Sequence, residues 1–79
     1  MKEIKIMLSN IQDIREFVNQ VILVEYDVDL IQGRYVIDAK SIMGIFSLDL
    51  LNPIQLTAYT EDADIQKNLL EDLKAFIVE

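Results

Sequence analysis

Apolar and polar residues alternate from Lys2 to Leu8: Lys2, Ile4, Ile6 and Leu8 share one side, and Glu3, Lys5 and Met7 the other. A period of two is the strand period. Ser9-Asn10 breaks it. Asn10 is a candidate N-cap, and Asp13 stands close to the place of a capping-box acid. Beyond it Ile11, Ile14, Val18, Val21 and Ile22 recur at three- and four-residue steps, which predicts a helical stripe. Asp13, Arg15, Glu16, Asn19 and Gln20 take its outer face. The strand-prone residues that follow leave its end open.

Tyr26, Val28 and Leu30 alternate with Asp27 and Asp29, a strand with one wet face. Gln32-Gly33 supplies a turn, with glycine available for positive φ. Tyr35, Ile37 and Ala39 then alternate with Arg34, Val36 and Asp38, so the strand returns as a hairpin. Ser41 is the next cap candidate and opens a short helix running to about Leu48. Asn52-Pro53 ends that region, because the residue before proline is pushed out of the helical basin. Ile54, Leu56 and Ala58 alternate with Gln55, Thr57 and Tyr59, the last expected strand. A final helix is expected from Thr60. Glu61, Asp62 and Asp64 lie at its positive end, and Ile65, Leu69, Leu73, Phe76 and Ile77 form its stripe. The order is strand, helix, strand, strand, helix, strand, helix. A hairpin between crossover helices predicts a two-layer α+β fold: an antiparallel sheet covered on one face by helices.

Composition narrows the chemistry. At 79 residues there is room for one domain, spanning 1–79. Cysteine and histidine are both absent. No disulfide, thiolate metal site, Ser/His pair or Cys/His pair can form, and a zinc would rest on carboxylates alone. A core must supply the stability, and the 52% hydrophobic content allows it. The start lacks the apolar stretch of a secretory signal. Val21–Val24, an apolar run of four residues, is far short of a membrane span. A cytoplasmic location is the expectation. With a formal net charge of -7 the surface repels phosphate backbones and anionic lipid, so neither nucleic acid nor membrane is an expected partner. The cations Lys2, Lys5, Arg15, Arg34, Lys40, Lys67 and Lys74 are scattered.

The segment Lys40-Ser41-Ile42-Met43-Gly44-Ile45-Phe46-Ser47-Leu48 resembles the second signature of the histidine-containing phosphocarrier (HPr) family. There a Lys-Ser-Ile-Met-Gly run opens the short second helix, and its serine is the target of a regulatory kinase. The hairpin before it, the proline-bounded strand after it and the closing helix match in order, with a slight length difference around Gly33 to Lys40. The resemblance implies a sheet of order 1-4-2-3.

The family's first signature, a Gly-Ile-His-Ala-Arg-Pro run, is missing. The junction reads Leu8-Ser9-Asn10-Ile11-Gln12-Asp13. Ungapped alignment of the first helix puts Asn10 at the phosphorylated histidine and Gln12 at the arginine that steadies the phosphate. A carboxamide nitrogen is delocalised into its carbonyl and is no nucleophile, and Gln12 has no charge to hold a dianion. Histidine suits the carrier role because a neutral imidazole is present at cell pH. The arrangement is similar to a bacterial catabolite-repression paralogue of HPr that lost the histidine and kept the regulatory serine.

The resemblance marks Ser41 as a regulatory phosphorylation candidate and Ile42, Met43 and Phe46 as a docking face, with Ile45 and Leu48 turned inward. A bare N-cap at Ser41 and simple packing of the short helix are the alternatives. Asn10 and Gln12 are the remnant of the carrier site, read from the residues as a cap followed by a solvent-facing amide. Asp27, Asp29 and Asp38 fit a solvated sheet face better than a metal loop. Tyr26, Tyr35 and Tyr59 are expected as strand residues. With only Gly33 and Gly44, no phosphate-cradling loop exists. The expected protein is no enzyme, uses no cofactor and binds no metal. It is an HPr-like regulatory or adaptor protein of the phosphotransferase-system type. The partners this implies are a serine kinase of the HPr kinase type, a LacI-type transcriptional regulator or other phosphotransferase components. The rival readings are an interaction module on the HPr scaffold with no phosphorylation, and a carrier using an acyl phosphate on Asp13 beside Arg15. Oligomeric state is left open.

Overall fold

The computed structural model describes residues 4–78. Along the chain run β1 (Ile4–Ile6), α1 (Ile11–Val21), β2 (Val28–Gln32), β3 (Tyr35–Asp38), α2 (Ile42–Phe46), β4 (Ile54–Ala58), α3 (Ala63–Asp72) and β5 (Ile77–Val78). Lys2 and Glu3, the expected opening of the first strand, lie outside the described residues.

The five strands form one sheet of order β3-β2-β4-β1-β5, and every neighbouring pair is antiparallel. The expected order 1-4-2-3 is present, extended by a short fifth strand beside β1. Register follows from the alternation. Ile6 faces Ile54 and Leu30 faces Leu56 across the ladder, and all four are buried. Shifting a strand by one residue would turn these side chains to the wet face. On the helix side they meet Ile14, Phe17 and Val21 of α1, Ile45 of α2, and Leu69 and Leu73 from the α3 end in one continuous core. The rings of Phe17 and Phe76 pack edge to face at a centroid distance of 6.1 Å and an angle of 85°. No helix among the described residues is long and apolar enough to cross a membrane.

Several details depart from the periodicity. The inward stripe of α1 is Ile14, Phe17 and Val21, with Val18 partly buried, while Ile11 and Ile22 at its two ends are exposed. Ile11 opens the helix and Ile22 is its C-cap, so both lie at the ends of the stripe. The hairpin turn is Gly33-Arg34, one residue later than expected, because Gln32 pairs with Tyr35. Among the described residues Gly33 alone has positive φ, at 60°, which fits a II′ turn with glycine leading. The last helix starts three residues late, at Ala63, since the Asp62 side chain accepts the N–H groups of Asp64 and Ile65. Asp62 is therefore the cap of that helix. It also ends early: Leu73 is its C-cap, Phe76 lies in the following turn, and Ile77 belongs to β5. Met7 donates its backbone N–H to the Phe76 carbonyl at 2.8 Å, and that bond starts the new edge pairing. Ile65 is 41% exposed and leaves the expected stripe. Of the tyrosines only Tyr35 is in a strand; Tyr26 precedes β2 and Tyr59 follows β4.

Candidate functional site

Two helix starts carry the residues singled out above. At the first, Asn10 has extended backbone and caps α1: its Oδ1 accepts the Asp13 N–H at 2.8 Å. The Asp13 carboxylate reaches back and accepts the Ser9 N–H at 3.1 Å, one residue earlier than a standard capping box. Both partners of the junction are thus committed to holding the helix start. Gln12 is exposed and donates to the Glu16 carboxylate at 3.3 Å on the same helix face. Ile11, Gln12, Arg15 and Glu16 border a shallow open depression. The expected cap and solvent-facing amide are in place, and Arg15 is the one cation bordering the depression.

At the second start, Asp38 builds the turn that presents Ser41. Its carbonyl accepts the Ser41 N–H at 3.0 Å and its Oδ1 accepts the Lys40 N–H at 2.9 Å. Asp38 is thus part of a chain reversal as well as a sheet-face carboxylate. Ser41 is exposed, with extended backbone, and its Oγ accepts the Gly44 N–H at 3.1 Å. The hydroxyl is an N-cap whose free side opens to solvent. A β-carbon at Gly44 would come within 3.3 Å of that Oγ and 3.4 Å of Ile37, so a larger residue would crowd the cap.

The helix behind Ser41 has five residues, too few to stand alone. Its faces divide by the three-residue step. Ile45 is buried, as expected, and Leu48 just beyond the helix is buried as well. Ile42, three residues before Ile45, shares that side and packs against the core, which corrects the expectation that it faces out. Met43 and Phe46 share the other side and are 75% and 44% exposed. Leu51, in the loop beyond, is 89% exposed and was not singled out by the periodicity.

Polar ties hold this helix at both ends. Before it, the Lys40 ammonium donates to the Val24 carbonyl at 2.8 Å, in a partly buried bond to the segment leaving α1. After it, Gln32 and Asp49 exchange two bonds of 2.7 Å each, the side-chain amide of one pairing with the backbone of the other as a strand neighbour would. Asp49 also accepts from the Leu51 N–H and the Asn52 amide, which fixes the loop that follows. Neither tie is visible in spacing, since each joins residues 16 or 17 apart in sequence.

On the sheet face away from the helices Asp29 stands opposite Asp38 and beside Thr57. The neighbouring Asp29 carboxylate as acceptor, followed by partial desolvation and the charges of Asp29 and Asp27, raises the Tyr59 phenol above its ordinary value. Burial, then the charge of Asp72, raises Tyr26 likewise. Among the described residues no three carboxylates converge as metal ligands would.

An antiparallel sheet of this order under three helices defines the class, a two-layer α+β open-faced sandwich. No family model and no curated protein matches the sequence. Solved structures do. The crystal structure of HPr-C-His from Thermoanaerobacter tengcongensis is 29% identical and superposes with a TM-score of 0.72, over 92% of this chain and 90% of that one. The phosphocarrier protein HPr from Bacillus anthracis str. Ames is 27% identical with a TM-score of 0.69, over 98% and 94%. The likeness runs through nearly the full length of both partners, and the chain is an HPr-like protein.

Proposed function

We propose that this HPr-like chain is a non-catalytic regulatory or adaptor protein of the phosphotransferase-system type, which works by contact and carries no phosphate on histidine. Ser41 is its switch, and Met43 and Phe46, backed by Ile42, form its docking surface. It acts as a single domain in the cytoplasm, on protein partners: a serine kinase of the HPr kinase type, a LacI-type regulator or other phosphotransferase components.

One contrast carries the reading. The chain has no histidine, and the residue aligned with the carrier histidine, Asn10, spends its side-chain oxygen on the Asp13 N–H. The second site keeps an exposed serine with two exposed apolar side chains on the helix it caps. A hydroxyl flanked by exposed apolar groups suits a recognition patch whose charge can be changed. In the modification, Ser41 Oγ bonds to the γ-phosphorus of a nucleoside triphosphate as the bond to the leaving diphosphate breaks. The hydroxyl proton passes to a base of the kinase.

The test is incubation with a kinase of the HPr kinase type and ATP, followed by the intact mass and a repeat with Ser41→Ala. One added phosphoryl group, lost in the variant, is the expected result. An unchanged mass beside a working control overturns the switch and leaves the scaffold as an interaction module without phosphorylation.

A further inference from the structure

We infer that Lys40 transmits the Ser41 switch: a phosphate on Ser41 draws the Lys40 ammonium off the Val24 carbonyl and frees the connection between α1 and β2 from the start of α2. The inference rests on phosphorylation of Ser41 as proposed above and adds what that phosphate does to the protein.

Three observations lead to it. Lys40 is the residue next to Ser41, yet its charge is placed elsewhere, donated to the neutral carbonyl of Val24 at 2.8 Å. Asp38 already stands on the other side of the turn, with its carboxylate on the Lys40 N–H and its carbonyl on the Ser41 N–H. A dianion added at Ser41 therefore arrives next to a negative group, and the cation adjacent in sequence is Lys40. Bonds between a charged donor and a charged acceptor are stronger than bonds to a neutral carbonyl, and a phosphoserine is mostly dianionic at neutral pH. Four rotatable carbons give the ammonium the reach to change partners.

The consequence is local. Val24 follows two exposed apolar residues, Ile22 at 58% and Leu23 at 76%; its own N–H is held by the Val21 carbonyl and its side chain packs in part on the core. The far end of α2 keeps its Gln32–Asp49 pair, which the phosphate does not touch. The change thus concentrates around the Val24–Glu25 peptide.

The test installs phosphoserine at position 41 during synthesis, so it does not depend on any kinase accepting the chain. The amide nitrogen of Glu25 shares its peptide bond with the Val24 carbonyl, and its NMR shift reports the hydrogen bond made there. In the phosphoserine protein this signal is expected to move to its position in unphosphorylated Lys40→Met. A through-bond coupling between the Lys40 amine and phosphorus is expected as well, read on the unsubstituted chain and thus independent of whether Lys40→Met folds. Adding the phosphate to Lys40→Met should leave Glu25 where it is. A Glu25 signal unmoved by phosphoserine, or absence of the coupling, overturns the inference. Failure of a kinase to modify Ser41 bears on the proposed function alone.

Discussion

Asn10 Oδ1 accepts the backbone N–H of Asp13 at 2.8 Å, so the residue that the HPr resemblance sets at the carrier position serves as the cap of the first helix. The cap is a stability device with a known scale. Asn10→Ala should lower unfolding free energy by about 1 kcal/mol, read from urea denaturation. Asn10→His should lose a similar amount, since histidine is a poor cap, while supplying the missing nucleophile. Labelled phosphoenolpyruvate and the general phosphotransfer enzyme should then give acid-labile label in Asn10→His, and more when Gln12→Arg is added to hold the dianion. Equal labelling of the two would show that Gln12 is not the position that steadies a phosphate.

Phe17 is fully buried and meets Phe76 edge to face. Phe17→Ala should cost about 3–5 kcal/mol, which removes much or all of the stability expected of a domain this small. Urea titration checks it, with Phe17→Leu as the milder variant if the alanine protein does not fold. A loss below about 1 kcal/mol would mean that the two rings contribute little to the core.

Gly33 has φ of 60° with nothing near the place of a β-carbon, so the obstacle to substitution there is backbone strain alone. Gly33→Ala should destabilise by about 1 kcal/mol, and Gly33→Asn by less, because asparagine tolerates the left-handed region. Thermal melts of the two variants decide it, and equal melting points would contradict the turn geometry.

Tyr26 and Tyr59 are both raised above the ordinary phenol value of 10.0, the first chiefly by burial and the second chiefly by the Asp29 carboxylate beside it. Folding therefore favours the protonated phenol. The stability it lends is complete below the unfolded value near 10 and is lost as pH rises through the higher folded values. Melting temperature should fall above that point, with phenolate absorbance rising late in the native protein. Tyr59→Phe should make the alkaline fall shallower, and an unchanged profile would contradict the influence of Asp29 on the phenol.

The strands and both caps of α1 and α2 were legible because each rests on local pattern: alternation for Ile54 to Ala58, and a polar side chain before an apolar stripe at Asn10 and Ser41. Sheet order was not in the periodicity and came from the resemblance carried by Lys40 to Leu48. Phe17 is not legible from the spacing, because a stripe drawn from Ile11 through Ile14 to Val18 steps past it, while Ile11 is exposed at the helix start. β5 is not legible because Phe76 and Ile77 continue the helical spacing of Leu69 and Leu73, and only the bond of Met7 to the Phe76 carbonyl and the pairing of Ile77 and Val78 with Ile6 and Lys5 make an edge strand there. The family resemblance sets Ile42 on an outward docking face, whereas its three-residue step to Ile45 places it inward. The ties of Lys40 to Val24 and Gln32 to Asp49 are tertiary, and no local window contains them.

The loss of carrier chemistry is decided by transfer from labelled phosphoenolpyruvate through the general phosphotransfer enzyme, run on the unsubstituted chain beside a conventional phosphocarrier. No protein-bound label is expected under conditions that saturate the control. Stoichiometric label on the chain, whether at Asp13 or elsewhere, would contradict it.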